Sequence, residues 1–524
     1  MGLQKIFMTL LFIGVLNFEF NNGYRILGIF PFQGTSHFVM FEKIMKELAR
    51  KGHQVDVISH FPLKVPQENY HDFSIKGSAP ETKNNVTFEV IENISKFFDI
   101  RDFLQLEMNG LCDIMGHSVM QDFINGPHKN ISYDLIIIEI FMNPCFLAFG
   151  HHYKIPMIGV TSSILYEWMN EPFGNPASPS LIFNSEKNSF ISNFYKRLIN
   201  TVNNFRGKLL FNYYSQEQNK YVRKYFGDNF PTINELQKKV ALVLVNSHHS
   251  LTGVKPLTTS VIEVGGLHIQ KNEENLSEDI KKWLDDSTNG CIYISFGSMV
   301  LFETFPMYLQ DAFYTAFQNL PHLRFLIKIK NISDLPTKLP DNVKSFSWIS
   351  QLQVFKHKNV KIFVTHGGMM GALESIMNAI PIIGMPLFAD QSLNLENLVQ
   401  RNIAISLNWK TVNGEQLTSA ISRILNNSMY RKNVMKLSKL YMDRPLSPLE
   451  TAIFWIEYIG RNGNILQSPA IKLKWWQVEL LDVYGFLLLA IFLIFYIIYF
   501  IALKLSKLFP PFKYGQKLMS KKKQ

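Results

Sequence analysis

The sequence predicts an α/β protein built from two doubly wound halves and followed by one C-terminal transmembrane helix. Three observations predict it. Near the N-terminus an apolar strand, a periodic helix and a second apolar strand follow one another as a βαβ unit; a second series of strands and helices begins near Cys291; and residues 483–503 run for 21 residues without a charge. At 524 residues the chain is long enough for two domains of ordinary size, each with its own core.

Residues 25–30 form a short apolar run, and the loop Pro31-Phe32-Gln33-Gly34-Thr35-Ser36 leads into helical periodicity over 37–51. Gly52 stands where a C-cap glycine belongs, and 54–59 reads as the next strand. Residues 135–138 are another continuous apolar strand, followed by a helical stretch over 144–153. In the second half, 291–296 is a strand ending in Gly297-Ser298, 308–320 a helix and 324–329 a strand. Residues 360–365 form a strand that runs into His366-Gly367-Gly368 and a helix through Met377, and 382–384 is a further strand. Buried strands alternating with helices make parallel sheets. Two such halves, joined around 265–285, leave a cleft between strand ends, where sheets of this kind bind ligands. Neither half carries G-x-G-x-x-G after its first strand and there is no P-loop, which removes the main support for dinucleotide and nucleotide-hydrolase readings.

The ends of the chain carry targeting features. Lys5 and an 11-residue apolar run over 6–16 have the build of a secretory signal peptide ending near Asn22, and the run is too short to cross a bilayer. Residues 483–503 are long enough to cross one, with Trp475 and Trp476 before them at the level where indoles favour the interface. Glu479 and Asp482 lie on that side and lysines crowd the other, so the positive-inside rule puts the tail 504–524 in the cytosol and the body in the lumen. The final Lys521-Lys522-Lys523-Gln524 resembles the dilysine retrieval signal of endoplasmic-reticulum membrane proteins, against the plainer reading of a lipid-attracted basic tail. Asn-x-Ser/Thr sequons at Asn85, Asn93, Asn130, Asn275, Asn331 and Asn426 fit a lumenal body.

The net charge of +11 invites a nucleic-acid reading, but seven of the lysines lie in the last 21 residues; without them the balance is +4. The basicity belongs to a tail, and no nucleic-acid partner is expected. Three cysteines (Cys112, Cys145, Cys291) exclude a disulfide-stapled scaffold, allow one bridge without requiring it, and show no metal-ligand spacing. The adjacent pairs His151-His152 and His248-His249 cannot share a helix face, so no metal is implied.

The informative stretch runs from Trp348 to Gln391. Thr365-His366-Gly367-Gly368 follows a strand and opens a helix, where glycines let a ligand approach backbone N–H groups and the helix N-terminus favours phosphate. An upstream Trp348 could stack a base, Glu374 could take two ribose hydroxyls, and Asp390-Gln391 offer polar groups to sugar hydroxyls. Singly, each has a duller alternative: a core tryptophan, a strand terminator, a capping histidine, a solvated loop. Together, W-I-S-Q, T-H-G-G-M-M-G-A-L-E-S and P-I-I-G-M-P-L-F-A-D-Q-S-L-N resemble the donor-binding signature of the UDP-glycosyltransferases over 44 residues. The resemblance extends to F-Q-G-T-S-H, S-F-G-S, P-L-S-P-L-E-T-A-I-F-W-I-E-Y and the membrane anchor, and is nearest the insect branch of that family.

That resemblance implies the GT-B arrangement of two facing Rossmann-like domains: 1–22 signal peptide, 23–265 acceptor-binding, 266–440 UDP-sugar-binding, 441–482 helices returning to the first domain, then the membrane helix and the tail. It implies that Trp348 stacks uracil, that Gln351 bonds the uridine and that Glu374 holds the ribose. Ser298, His366 and Gly371 would contact the diphosphate, with Gly367 and Gly368 letting it approach, and Asp390 and Gln391 would bind the sugar. Ser350, Met370 and Asn378-Ala379 depart from the commonest pattern. For catalysis it implies His37 as the base, assisted by a carboxylate ending a later strand, here Glu139 where many relatives have aspartate; Asp134 competes but lies at the wrong strand end. The expected reaction is inverting, metal-independent transfer of a hexose, by resemblance glucose from UDP-glucose, to a hydroxyl of a small lipophilic acceptor. UDP-sugar is then a co-substrate, with no further cofactor; the partners are the acceptor and the membrane, and homo-oligomerisation stays open. The rival readings are a lumenal binding or partner protein that keeps the fold but has lost turnover, and a lipid-acceptor glycosyltransferase.

Overall fold

A computed structural model describes residues 23–80, 82–96, 100–180, 193–269 and 275–508. The expected signal segment and the end of the basic tail lie outside the described residues. Two parallel sheets organise the chain. The first has the order β3-β2-β1-β4-β5-β6-β7, with β1 Arg25–Phe30, β2 Gln54–Ser59, β3 Tyr70–Ser74, β4 Leu135–Glu139, β5 Met157–Thr161, β6 Val240–Val245 and β7 Val261–Glu263. The second has the order β10-β9-β8-β11-β12-β13, with β8 Cys291–Ser295, β9 Arg324–Lys328, β10 Val343–Phe346, β11 Val360–Thr365, β12 Ile382–Gly384 and β13 Ala404–Ser406. Every residue of β4, β5, β6 and β8 is buried, which is why apolar residues dominate these strands: helices cover both faces.

In each sheet the strand order reverses once, between β1 and β4 and between β8 and β11, and the crevice outside such a reversal is where open α/β sheets take ligands. The helices that matter below are α1 Thr35–Arg50, α2 Phe194–Tyr214, α3 Gln218–Phe226, α4 Met369–Met377, α5 Gln391–Gln400, α6 Pro448–Asn462 and α7 Leu481–Leu508. Helix α1 is held on β1 by its apolar stripe (Phe38, Phe41, Ile44, Met45, Leu48), with Phe41 stacked on Phe30 at 4.8 Å. Helix α6 opens with the capping box Ser447–Glu450 and Pro448 at its first position. It sends Ala452, Ile453, Ile456 and Ile459 into the same core as α1. A disulfide joins Cys112 to Cys145, in the loop that follows β4. Residues from Pro469 onward form a separate compact unit. Its α7 has 28 residues and, by length and composition, can cross a membrane.

Candidate active site

The first half of the site lies at the β1–β4 reversal. The chain leaves β1 at Phe30, turns at Gly34, and starts α1 with the His37 N–H bonded to the Gly34 carbonyl at 3.0 Å. Because Ile29 and Ile138 are register partners, the last residue of β4, Glu139, ends beside that turn. His37 Nδ1 and Glu139 Oε1 are 2.8 Å apart, and Glu139 Oε2 accepts from the Phe32 N–H at 3.3 Å. A carboxylate accepts only from a protonated Nδ1, so the neutral ring carries its lone pair on Nε2. Phe32 and Phe141 flank the imidazole at 4.6 and 4.7 Å between ring centres. Glu139 is buried, and its carboxylate is thereby fixed rather than mobile. Asp134 sits at the opposite end of β4, where it accepts from the Arg25 N–H at 2.7 Å; it does not reach His37.

The second half lies at the β8–β11 reversal. β8 runs out into Gly297-Ser298, and β11 into His366-Gly367-Gly368 and then α4. Gly297 and Gly367 both have φ of +86°, a conformation that glycine adopts without penalty. The His366 ring is sandwiched between glycines: a Cβ at Gly297 would lie 2.8 Å from its Cε1, and one at Gly368 2.7 Å from its Nε2. Burial, with the nearby Lys328 charge adding to it, pulls the imidazole down to about 4. His366 is therefore neutral near pH 7 and can donate a hydrogen bond without being a cation. At the end of β9, Lys328 Nζ donates to the Gly297 carbonyl at 2.6 Å, and burial pulls the ammonium down to about 8. Ser298 Oγ is buried with no partner among the described residues. The first intrahelical bond of α4 runs from the Ala372 N–H to the Gly368 carbonyl, so the three N–H groups before it have no intrahelical acceptor among the described residues, as at any helix N-terminus. An unpartnered hydroxyl, free amides and a lysine around one helix end make a cradle for an anion.

The remaining predicted residues surround this cradle. Trp348 is 52% exposed, with Lys83 Nζ 4.4 Å and Lys328 Nζ 5.8 Å from its ring centre. Glu374, on α4, accepts from His268 Nε2 at 3.1 Å and from Gln351 Nε2 at 2.5 Å, and Gly371 packs against that same amide. Asp390 accepts from Asn394 at 2.8 Å; burial raises its carboxyl, and the His37 charge opposes that rise. Gln391 is buried and spends its Oε1 on the Leu387 and Phe388 N–H groups, which leaves its amide nitrogen as the group able to meet a ligand.

A family model described as UDP-glucoronosyl and UDP-glucosyl transferase matches residues 26–512. The chain belongs to this family. UDP-glucosyltransferase 2 of Dactylopius coccus is 34% identical over 480 residues, spanning 89% of this chain and 90% of that one. UDP-glycosyltransferase UGT5 of the same organism is 32% identical over 499 residues, 91% of each chain. In fold, the chain is similar to the solved structure of Spinosyn Forosaminyltransferase SpnP (TM-score 0.56, 14% identity, 84% of this chain and 100% of that one), as expected of a GT-B glycosyltransferase. As a UDP-glycosyltransferase, the chain transfers sugar from a UDP-sugar to an acceptor.

Residue patterns did not point to Lys328, His268 or Phe141, which the structure of this UDP-glycosyltransferase brings to the site. Lys328 had a legible signal: a lysine at the C-terminal end of a strand, after the apolar run Phe325-Leu326-Ile327, where α/β sheets present ligand contacts. His268 had none, because it reaches Glu374 across 106 residues.

Proposed function

We propose that this UDP-glycosyltransferase moves a hexose, taken as glucose, from UDP-sugar to a hydroxyl of a small lipophilic acceptor with inversion, His37 acting as general base and Glu139 supporting it. The observation that carries this reading is the 2.8 Å pair of His37 Nδ1 and the buried Glu139 carboxylate. In the reaction, Nε2 takes the acceptor's hydroxyl proton as its oxygen bonds to the anomeric carbon. The bond from that carbon to the diphosphate oxygen breaks, and UDP leaves with the electron pair. Glu139 stabilises the imidazolium that forms. Ser298, the amides at the start of α4, His366 and Lys328 meet the departing diphosphate. Trp348 stacks uracil, the Gln351–Glu374 pair exchanges part of its mutual bonding for the uridine, and Asp390 with the Gln391 amide holds the sugar. On the acceptor side, Phe141 and Tyr166-Trp168 supply apolar walls. Glucose is chosen because UDP-glucosyltransferase 2 is so named, at 34% identity. The membrane anchor, lumenal body and cytosolic tail follow the charge asymmetry around α7.

The test incubates microsomes expressing the chain with labelled UDP-glucose or UDP-glucuronate and a mixed acceptor panel. The reading expects a glucoside of inverted configuration from wild type and none from His37→Ala. Glucuronide alone, or equal turnover by the variant, overturns it.

A further inference from the structure

After β3 the chain crosses from the first sheet to the second. Thr82 Oγ1 donates to the Gln33 carbonyl at 2.9 Å, in the turn that leads to His37. The Asn84 N–H then donates to the Ser298 carbonyl at 2.8 Å, and the Asn85 and Val86 N–H groups both reach the Met299 carbonyl at 3.1 Å. Val86 and Val300 pair as a parallel bridge, and Lys330 Nζ donates to the Asn84 carbonyl at 2.9 Å. Phe88 enters the core of the second sheet, 5.2 Å from Phe305 and 5.0 Å from Trp409 between ring centres. Lys83 lies between the first two of these anchors, so its backbone is held at the edge of the anion cradle.

We propose that Lys83 is a donor-binding residue, whose ammonium turns from the Trp348 ring to the diphosphate of the incoming UDP-sugar. This deepens the donor site proposed above and rests on that reading. The exposed side chain holds its Nζ 4.4 Å from the Trp348 ring centre, and no carboxylate among the described residues pairs with it. Lys328 Nζ approaches the same ring, and the Lys83 charge adds to the lowering of the Lys328 ammonium, with Glu303 the carboxylate that opposes it. Two cations thus meet at one ring beside Ser298, whose hydroxyl is buried without a partner among the described residues and whose carbonyl accepts from the N–H next after Lys83. An anion bound by both lysines relieves their repulsion. An exposed cation–π contact is weak and a charge-assisted bond to phosphate is strong, so the flexible lysine stem exchanges one for the other. The same exchange clears the indole for uracil, which couples base stacking to capture of the diphosphate.

The test measures UDP and uridine binding by calorimetry on the full chain in detergent micelles, for wild type, Lys83→Met and Lys83→Arg, with Gly297→Ala as the arm that reports on the cradle itself. Lys83 is exposed, so its replacement leaves the core alone. The proposal expects Lys83→Met to weaken UDP roughly tenfold and leave uridine within about twofold, while Lys83→Arg keeps UDP within about threefold. Unchanged UDP affinity in Lys83→Met overturns it, because the ammonium then takes no part in holding the diphosphate. UDP and uridine weakened alike also overturn it, because the side chain then only shapes the base platform. A wild type that fails to bind UDP, or a Gly297→Ala chain that binds it as tightly, overturns the cradle and the proposal with it; neither arm alters Lys83, so the two failures are told apart. Binding does not depend on turnover, so the identity of the acceptor does not enter.

Discussion

Replacing Glu139 by glutamine tests the catalytic pair with little change of shape. Glutamine keeps the volume and the Oε1 acceptor that His37 Nδ1 uses at 2.8 Å; it removes only the charge. An imidazolium centre about 4 Å from the carboxylate gains about 4 kcal/mol at an effective dielectric near 20. Side-chain exposures of 17% for His37 and 1% for Glu139 leave little solvent to screen it. At about 1.4 kcal/mol per tenfold, E139Q should lower kcat roughly a thousandfold and leave the UDP-sugar KM within about twofold. Steady-state kinetics on purified enzyme with a phenolic acceptor measures both. Asp134→Asn is the control, since Asp134 only accepts from the Arg25 N–H. It should cost about 1 kcal/mol of stability and leave kcat within about twofold. An E139Q enzyme within tenfold of wild type, or a D134N enzyme that loses the rate instead, refutes the pairing.

Three further outcomes follow from the same geometry. Gly297→Ala forces a left-handed alanine whose Cβ meets the His366 ring, so UDP affinity by calorimetry should fall more than about tenfold while the acceptor KM holds. Lys328 titrates near 8 in the folded chain against 10.5 unfolded, so raising the pH from 7 to 9 should raise the UDP-sugar KM as the ammonium is lost. Between about 8 and 10.5 the unfolded chain binds the extra proton, so Lys328 makes stability rise with pH there. Lys328→Gln should flatten both profiles. Replacing Cys112 and Cys145 by serine opens a bridge spanning 33 residues and should cost about 3–4 kcal/mol, read as a lower Tm and, because Cys145 anchors the loop after Glu139, as a lower kcat.

The sequence was most legible where one local rule sufficed. The strands β1, β4, β8, β11 and β12 showed as largely apolar runs, whereas β5 and β6, just as buried, were not read as strands. The edge strands were harder: β3 reads Tyr-His-Asp-Phe-Ser, polar because one flank is unpaired, and β13 has only three residues. In the site, the residues after β1, β8 and β11 were legible from turn glycines and helix starts, whereas Glu139 rather than Asp134 needed the strand direction to be known. What sequence could not carry was state and partnership. Nothing local indicates that Glu374 already holds both His268 and Gln351, that Lys83 stands over Trp348, or that His366 is neutral; each depends on chain brought in from far away.

The most direct test of the account is His37→Ala measured for two quantities on one preparation, UDP binding by calorimetry and glycoside formation by mass spectrometry. The account predicts UDP affinity within about twofold of wild type, because the nucleotide cradle belongs to the second sheet, together with loss of transfer by at least about a thousandfold. Undiminished turnover, or loss of UDP binding in a folded variant, would contradict it.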